Sequence, residues 1–269
     1  MRIISDKLFI SSIEDNLFST LLAFGQWPRI EVHDESDILW AISDVPFPLF
    51  NSVMRARLAP DKVEVAIQNR IAQAKSHHVP LLWWTGPATQ PPDLGDHLER
   101  HGFIHEAHMP GMAVELAKVP KGLPVPRGLI VRQAKDPATL KHWSQACSDA
   151  FGMPEFVAEA FHEVMTHVAP NTFRAYLGWL EGKPVATSLL TLAAGCAGIY
   201  NVSTIPQARR KGIGALMTAL PLQDARAEGY TVGILHASEM GVGVYRSLGF
   251  QEYCKIGQYV WPGEQTDEA

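Results

Sequence analysis

The chain has 269 residues, of which 46% are hydrophobic and 19% charged, with a formal net charge of -5. This composition builds a folded core rather than a disordered chain, and the length suits one large or two modest domains. With no long basic block and no apolar run near the roughly 20 residues that span a bilayer, neither nucleic acid nor membrane is an expected partner.

In chain order, the opening MRIISDKLFISS has no cationic region followed by an apolar one, so no signal peptide is expected. Ile13–Phe24 reads as a helix. Ile38–Ser43 and Leu49–Leu58 read as strands. Asp61–Ser76 is a helix with Val63, Ile67 and Ile71 on one face. Pro80–Thr85 is an apolar strand, Leu94–His101 a short helix and Gly111–Leu116 a strand. Pro120–Arg127, PKGLPVPR, reads as an extended linker, because proline fixes φ and has no amide donor. A domain boundary is expected there, between 1–122 and 128–269.

Beyond it, Leu129–Gln133 is a strand, and Asp136-Pro137 opens a helix carrying Leu140, Trp143, Cys147 and Ala150 at helical spacing. Glu155–Val168 is a second helix. Phe173–Leu180, Pro184–Ala193 and Cys196–Thr204 are strands, the first two joined by a tight turn at Glu181-Gly182-Lys183. Lys211–Glu228 is a helix, with a kink expected at Pro221. Tyr230–Ala237 reads as a buried strand, Gly243–Leu248 as a short helix stopped by Gly249, and Tyr253–Trp261 as a last strand. Both halves therefore end helix, strand, helix, strand. DHLERHGF at Asp96–Phe103 stands where the second half has VYRSLGF, which reads as an internal repeat at domain scale.

The chemistry-bearing stretch is Gln207–Leu216, QARRKGIGAL, between a strand and a helix. The first amides of a helix have no internal partner, and the positive end of the dipole points outward. Gly212 and Gly214 let backbone approach an anion, and Arg209, Arg210 and Lys211 add positive charge. A diphosphate fits such a turn, and so does the plainer reading of a basic glycine turn without a ligand. The string matches neither the P-loop nor the dinucleotide fingerprint.

IYNVSTIPQARRKGIGALM, followed by VYRSLGF, resembles the GNAT N-acetyltransferase superfamily, whose signature is a strand, then Q/R-x-x-G-x-G/A opening a helix, then a strand and a Tyr-x-x-x-Gly-Phe element. Arg209, Gly212 and Gly214 match the first part, and Tyr245, Gly249 and Phe250 the last, with the likeness running from Gly128 to about Trp261. The resemblance implies a mixed α/β sheet of the GNAT fold, with two GNAT-like domains in tandem of which the second holds acyl-CoA. It implies main-chain pairing of Val202 and Thr204 with the pantetheine arm. It implies a pyrophosphate site at Arg209, Arg210, Lys211, Gly212, Ile213, Gly214 and Ala215, with the amides from Arg210 onward as donors. Tyr245 matches the family's usual general acid for the departing thiolate; its plain alternative is a packed aromatic. Ser238 stands where the family often has Asn, which puts contacts expected of Asn in doubt. His236 and Glu239 are candidates for a base, each with the alternative of a polar strand end.

The implied activity is transfer of acetyl from acetyl-CoA, as co-substrate, to a primary amine of a small molecule, protein or peptide. A non-catalytic acyl-CoA-binding module on the same fold is the alternative. The first half has RARLAPDKVE in place of a glycine turn and is expected not to bind CoA, but to help form the acceptor pocket. No metal is expected: His162 and His167 have the wrong spacing for a zinc helix, and His97, His101, His105 and His108 lack accompanying ligands. Of Trp83-Trp84 at least one is core. Three scattered cysteines, Cys147, Cys196 and Cys254, suggest reduced thiols and a cytoplasmic protein.

Overall fold

The computed structural model describes residues 5–263, so the first four residues of the opening stretch lie outside the described residues. In chain order the elements are α1 (Asp6–Phe24), β1 (Ile30–Asp34), β2 (Leu39–Ser43), β3 (Ser52–Met54), α2 (Val63–Ser76), β4 (Leu81–Thr85), α3 (Leu94–Arg100), β5 (Ile104–Glu115), β6 (Leu129–Ala134), α4 (Pro137–Phe151), α5 (Glu155–His167), β7 (Phe173–Leu180), β8 (Lys183–Ala193), β9 (Cys196–Thr204), α6 (Ile213–Ala227), β10 (Val232–His236), α7 (Glu239–Ser247) and β11 (Gln251–Trp261). Among the described residues no helix is long and apolar enough to cross a membrane.

Local sequence sets many of these bounds. Ser5 caps α1 by accepting the Leu8 amide, and Asp136 caps α4 by accepting the Thr139 amide, with Pro137 next to it. Gly152 ends α4 in the left-handed region at φ 67. α6 runs through the buried Pro221 without interruption, although that residue cannot donate to the carbonyl one turn back. The strand expected over Leu49–Leu58 shrinks to β3. Pro48–Phe50 is a 3-10 turn, and the Asn51 side chain accepts from Ser43 while donating to the Val45 and Phe47 carbonyls, which ties the segment into a corner. β1 has no counterpart in the sequence expectations.

The chain divides into two compact units, and these are not the linear stretches 1–122 and 128–269. One comprises the segment ending at Gln26 together with Pro110–Tyr253; the other comprises Trp27–Met109 and the segment from Cys254 onward. The reason lies in strand pairing. In the first unit the sheet order is β5-β10-β9-β8-β7-β6, with β9 and β10 parallel and the other neighbours antiparallel. β5, the last strand of the first half, pairs here at Gly111–Glu115 with β10. In the second unit the order is β1-β2-β3-β4-β11, with β3 and β4 parallel, and β11 pairs antiparallel with β4 at Gly257–Trp261. Each unit thus takes its final strand from the other half of the chain, and α1 also belongs to the unit built mainly from later residues.

In the first unit α6 covers one sheet face, where Ile213, Leu216, Met217 and Leu222 pack on Leu190, Ala197, Ile199 and Leu235. Burying an aliphatic side chain of this kind stabilises by about 1.5–3 kcal/mol. On the other face lie α1 and α4, with Asn16 against Gly198 and the Trp143 indole donating to the Ser188 carbonyl. In the second unit Val63, Ile67, Leu94 and Leu98 of α2 and α3 pack on Val53, Trp83, Tyr259 and Trp261. Trp83 and Trp84 are both buried.

The two halves share local detail. Gly102 and Gly249 both have positive φ, and the amides of Phe103 and Phe250 donate to Leu98 and Tyr245 carbonyls, both at 3.1 Å. Leu98 therefore occupies in the first half the position that Tyr245 has in the second.

Candidate active site

The site begins with a defect in the sheet. β8 and β9 are in register at Thr187 with Ser203, then again at Leu189 with Tyr200, so β9 carries an extra residue between. Asn201 in this bulge has φ 50, a region that Asn tolerates better than most residues. The Thr187 hydroxyl braces it, donating to the Asn201 carbonyl at 2.8 Å and lying 2.7 Å from the Ser203 hydroxyl.

On its other edge β9 pairs with β10 only from Ala197 to Ile199, opposite Gly233 to Leu235. β9 continues to Thr204 while β10 ends at His236. The β9 edge from Tyr200 to Thr204, including Val202, is therefore without a β10 partner among the described residues. Main-chain groups on such an edge can pair with an extended ligand.

β9 leads through a 3-10 turn, Pro206–Ala208, into the glycine stretch. Arg210 has φ 61 and Gly212 φ 76, and Gly212 caps α6. The first helical bond runs from the Leu216 amide to the Gly212 carbonyl. Among the described residues no backbone carbonyl receives the amides of Arg210, Lys211, Gly212, Ile213, Gly214 or Ala215. A side-chain carbon added at Gly212 or Gly214 would meet nothing within 4 Å. Arg210 and Lys211 are exposed. The result is an open cradle of donors with positive charge beside it, suited to a diphosphate.

Arg209 plays a different part from its neighbours. Its amide donates to the Pro206 carbonyl, and its guanidinium donates to the carbonyls of Thr204 at 2.9 Å and of Ala150 at 3.4 Å. It ties the turn to the end of β9 and to the last turn of α4, and also occupies the Thr204 carbonyl.

Tyr245 lies on α7 and is 9% exposed. Its ring packs edge-on to Phe250, with centroids 6.1 Å apart. Gly241, one turn earlier, makes the space: a side-chain carbon there would stand 2.7 Å from the ring. Burial pushes the phenol up to about 12. Burial acts on thiols in this unit as well, holding Cys147 and Cys196 at about 11. Ser238 precedes α7 without a side-chain capping bond, and Glu239 is exposed in the first turn, where its charge favours the helix dipole.

His236 ends β10. Burial drives its imidazolium down to about 4, only partly opposed by a backbone hydrogen bond to Ile13 of α1. Its Nε2 is buried without a hydrogen-bond partner. Beside it lies Tyr200, with ring centroids 5.8 Å apart, and the Tyr200 hydroxyl donates to Asn16 Oδ1 at 2.9 Å. The Asn16 amide donates in turn to the Thr191 and Ala193 carbonyls. Sequence reasoning missed Asn16 and Gly241; a polar residue beside the apolar stripe Ile13, Leu17 and Leu21 was the available signal for the first.

The remaining candidates do not join this site. His97 and His101 both bind the Glu64 carboxylate, which lowers the carboxyl's pKa. The His167 ring nitrogen Nδ1 contacts the Glu163 carbonyl at 2.8 Å. A hollow of about 880 Å³ opens at the opposite end of α6, lined by Arg174, Tyr176, Asp224 and Glu228 among others. Within it Arg174 pairs with Glu228, and the Tyr176 hydroxyl donates to Asp224.

A family model, the acetyltransferase (GNAT) domain, matches residues 138–253. Among solved structures the chain is similar to a GCN5-related N-acetyltransferase from Kribbella flavida, with 21% identity, a TM-score of 0.72 and coverage of 94% of this chain and 97% of that one. It is similar to another from Sphaerobacter thermophilus, with 16% identity, a TM-score of 0.62 and coverage of 97% and 94%. It is also similar to a tandem GNAT protein from the clavulanic acid biosynthesis pathway, with 13% identity, a TM-score of 0.57 and coverage of 89% and 85%. Nothing among curated proteins matches. These likenesses show the fold of the chain, a mixed α/β GNAT fold in tandem.

Proposed function

We propose, from the match of residues 138–253 to the GNAT-domain family model and the GNAT fold along the chain, that the protein is an acyl-CoA-dependent N-acyltransferase. It transfers acetyl from acetyl-CoA to a primary amine of a small molecule or peptide. The observation that carries this reading is the run of unpaired amides from Arg210 to Ala215 beside an unpaired β9 edge. A diphosphate at the turn and an extended thiol arm along Val202 and Thr204 use both features. Arg210, Lys211, Gly212, Ile213, Gly214 and Ala215 hold the diphosphate, and Arg209 shapes the turn through its bond to Thr204.

The amine attacks as the neutral base. For an aliphatic ammonium with a pKa near 10.4, losing a proton at neutral pH costs about 4–5 kcal/mol. The nitrogen lone pair then forms the C–N bond to the thioester carbon, the C–S pair passes to sulfur, and Tyr245 supplies sulfur with a proton. The surplus proton on nitrogen leaves to solvent, and the phenolate is reprotonated. Burial pushes the phenol up to about 12, above a thiol in water near 8.5, so the proton transfer is driven by the thiolate's loss of solvent as it forms.

We further propose that 1–122 and 128–269 descend from one duplicated unit and that the first is degenerate. The shared glycine-phenylalanine corner and the parallel pairs β3–β4 and β9–β10 support this. In the first half Pro60 has no amide, the Arg57 and Leu58 amides already donate to Asp37 and Gln90, and Leu98 replaces the phenol.

The test is CoA affinity by calorimetry together with thiol release from acetyl-CoA over a panel of primary amines. Tyr245→Phe should bind CoA as the wild type does and turn over on the order of a hundredfold more slowly. Tight CoA binding without turnover on any amine would favour a non-catalytic acyl-CoA-binding module.

A further inference from the structure

We propose that His236 Nε2 accepts a hydrogen bond from the attacking nucleophile and so turns its lone pair toward the thioester carbonyl. The inference rests on the acyl-transfer reading above. It starts from side-chain alternation along β10. Leu235 and Ala237 belong to the core under α6, and a side-chain carbon at Gly233 would meet Leu222 of α6. His236 therefore faces the other side, toward α1.

Its position along the strand matters as much as its face. Leu235 and Ile199 form the last parallel pair, so His236 and Tyr200 are the first residues past the point where β9 and β10 part. They stand at the apex of the opening that the thiol arm would enter, on the face away from α6.

The hydrogen-bond inventory leaves His236 Nε2 open, as it does the Thr191 hydroxyl of β8. The Tyr200 hydroxyl is engaged by Asn16, and the Asn16 amide by the Thr191 and Ala193 carbonyls. Nε2 is buried and without a partner, and with the ring proton on Nδ1 it is a lone-pair acceptor. A buried acceptor left unpaired is unfavourable unless a ligand completes it.

The same burial decides between accepting a hydrogen bond and taking a proton. With the imidazolium near 4, the ring is neutral at pH 7 and its lone pair is available, but it is far too weak a base for an ammonium near 10.4. His236 therefore orients the nucleophile's N–H or O–H, and the surplus proton leaves to solvent as described above. Water in the acceptor position has the same requirement, so slow acetyl-CoA hydrolysis reports on the contact as aminolysis does.

The experiment measures thiol release from acetyl-CoA by the full-length protein, with water alone and then with phenylethylamine, spermidine and a peptide with a free amino terminus. CoA affinity is measured in parallel. His236→Leu should lower kcat with water and with every active amine by roughly tenfold to a hundredfold, the worth of one hydrogen bond in a dry site, at unchanged CoA affinity. His236→Gln, which offers an oxygen acceptor, should recover most of that loss. A Leu variant as fast as the wild type, a Gln variant as slow as Leu, or a parallel loss of CoA affinity overturns the assignment. A wild type that binds CoA but releases no thiol with any acceptor overturns the acyl-transfer reading and the role of His236 with it. Should the Leu variant fail to fold, nitrogen-15 NMR of the wild-type ring decides: the Nε2 signal should shift when phenylethylamine is added to the CoA complex, and an unmoved signal overturns the contact.

Discussion

Replacing Gly212 with alanine separates the ligand's need for this residue from the fold's. Gly212 has φ 76, and an added side-chain carbon meets nothing within 4 Å. The fold therefore suffers only the left-handed backbone penalty, about 1–2 kcal/mol. For a chain of this size that lowers Tm by roughly 2–8 °C. Gly182, in the turn between β7 and β8, is a matched control with φ 78 and the same open surroundings. Gly182→Ala should lose the same stability. Only Gly212→Ala should disturb the cradle, because relaxing φ turns the flanking amides away from the anion and the methyl group stands among the donors. Each charge-assisted hydrogen bond lost is worth about 1.5–3 kcal/mol, so CoA affinity should fall by at least about tenfold. Thermal melts and calorimetry with CoA make the measurement. A folded Gly212→Ala that binds CoA like the wild type, or a Gly182→Ala that weakens CoA equally, refutes the cradle.

Gly241→Ala should slow turnover with little change in CoA affinity, because its methyl would stand 2.7 Å from the Tyr245 ring and displace the phenol; steady-state kinetics beside calorimetry check this. Gly198→Ala should destabilise by about 1–3 kcal/mol or more in a denaturant melt, since the added carbon would lie 2.0 Å from Asn16 Oδ1, in a side chain held by its own hydrogen bonds. Stability should also fall with acid through His236. Its folded pKa of about 4 lies below the unfolded value near 6.5, so the unfolded chain binds the extra proton between them. The contribution is complete above about pH 6.5 and lost as pH falls toward 4, amounting to about 3 kcal/mol at most; His236→Gln should lack that part of the slope in melts from pH 7 to 4.

The candidate donor turn stands out in the sequence because its features are local. A helix N-terminus, two glycines and three cations lie within Arg209–Gly214, and the structure leaves the amides from Arg210 onward unpaired. The exception within that string is Arg209, which was expected to meet the ligand. It bends back to Thr204 and Ala150 because α4 ends beside it, which no spacing rule reveals. The bulge at Asn201 was not legible for the same reason, since it depends on Thr187 across the strand pair. Leu49–Leu58 misled because its β-like composition hides the Asn51 side chain's preference for closing a corner.

The two sides of the strand opening differ in how far along the chain their parts are drawn from. On the proposed reading the donor side draws on Val202 to Ala215 and Tyr245, all in the second half. The opposite face is roofed by α1, whose Asn16 reaches a strand carbonyl 175 residues away. Helical periodicity identifies α1 as amphipathic but does not say which sheet it covers, and the exchange of β5 and β11 between the units is equally silent in composition. The first half nonetheless contributes a helix, α1, to the face where Tyr200 and His236 lie. On the proposed reading, that is why the second half alone identifies the donor while the acceptor side depends on residues near the amino terminus: α1 packs over His236, and Asn16 holds the Tyr200 hydroxyl.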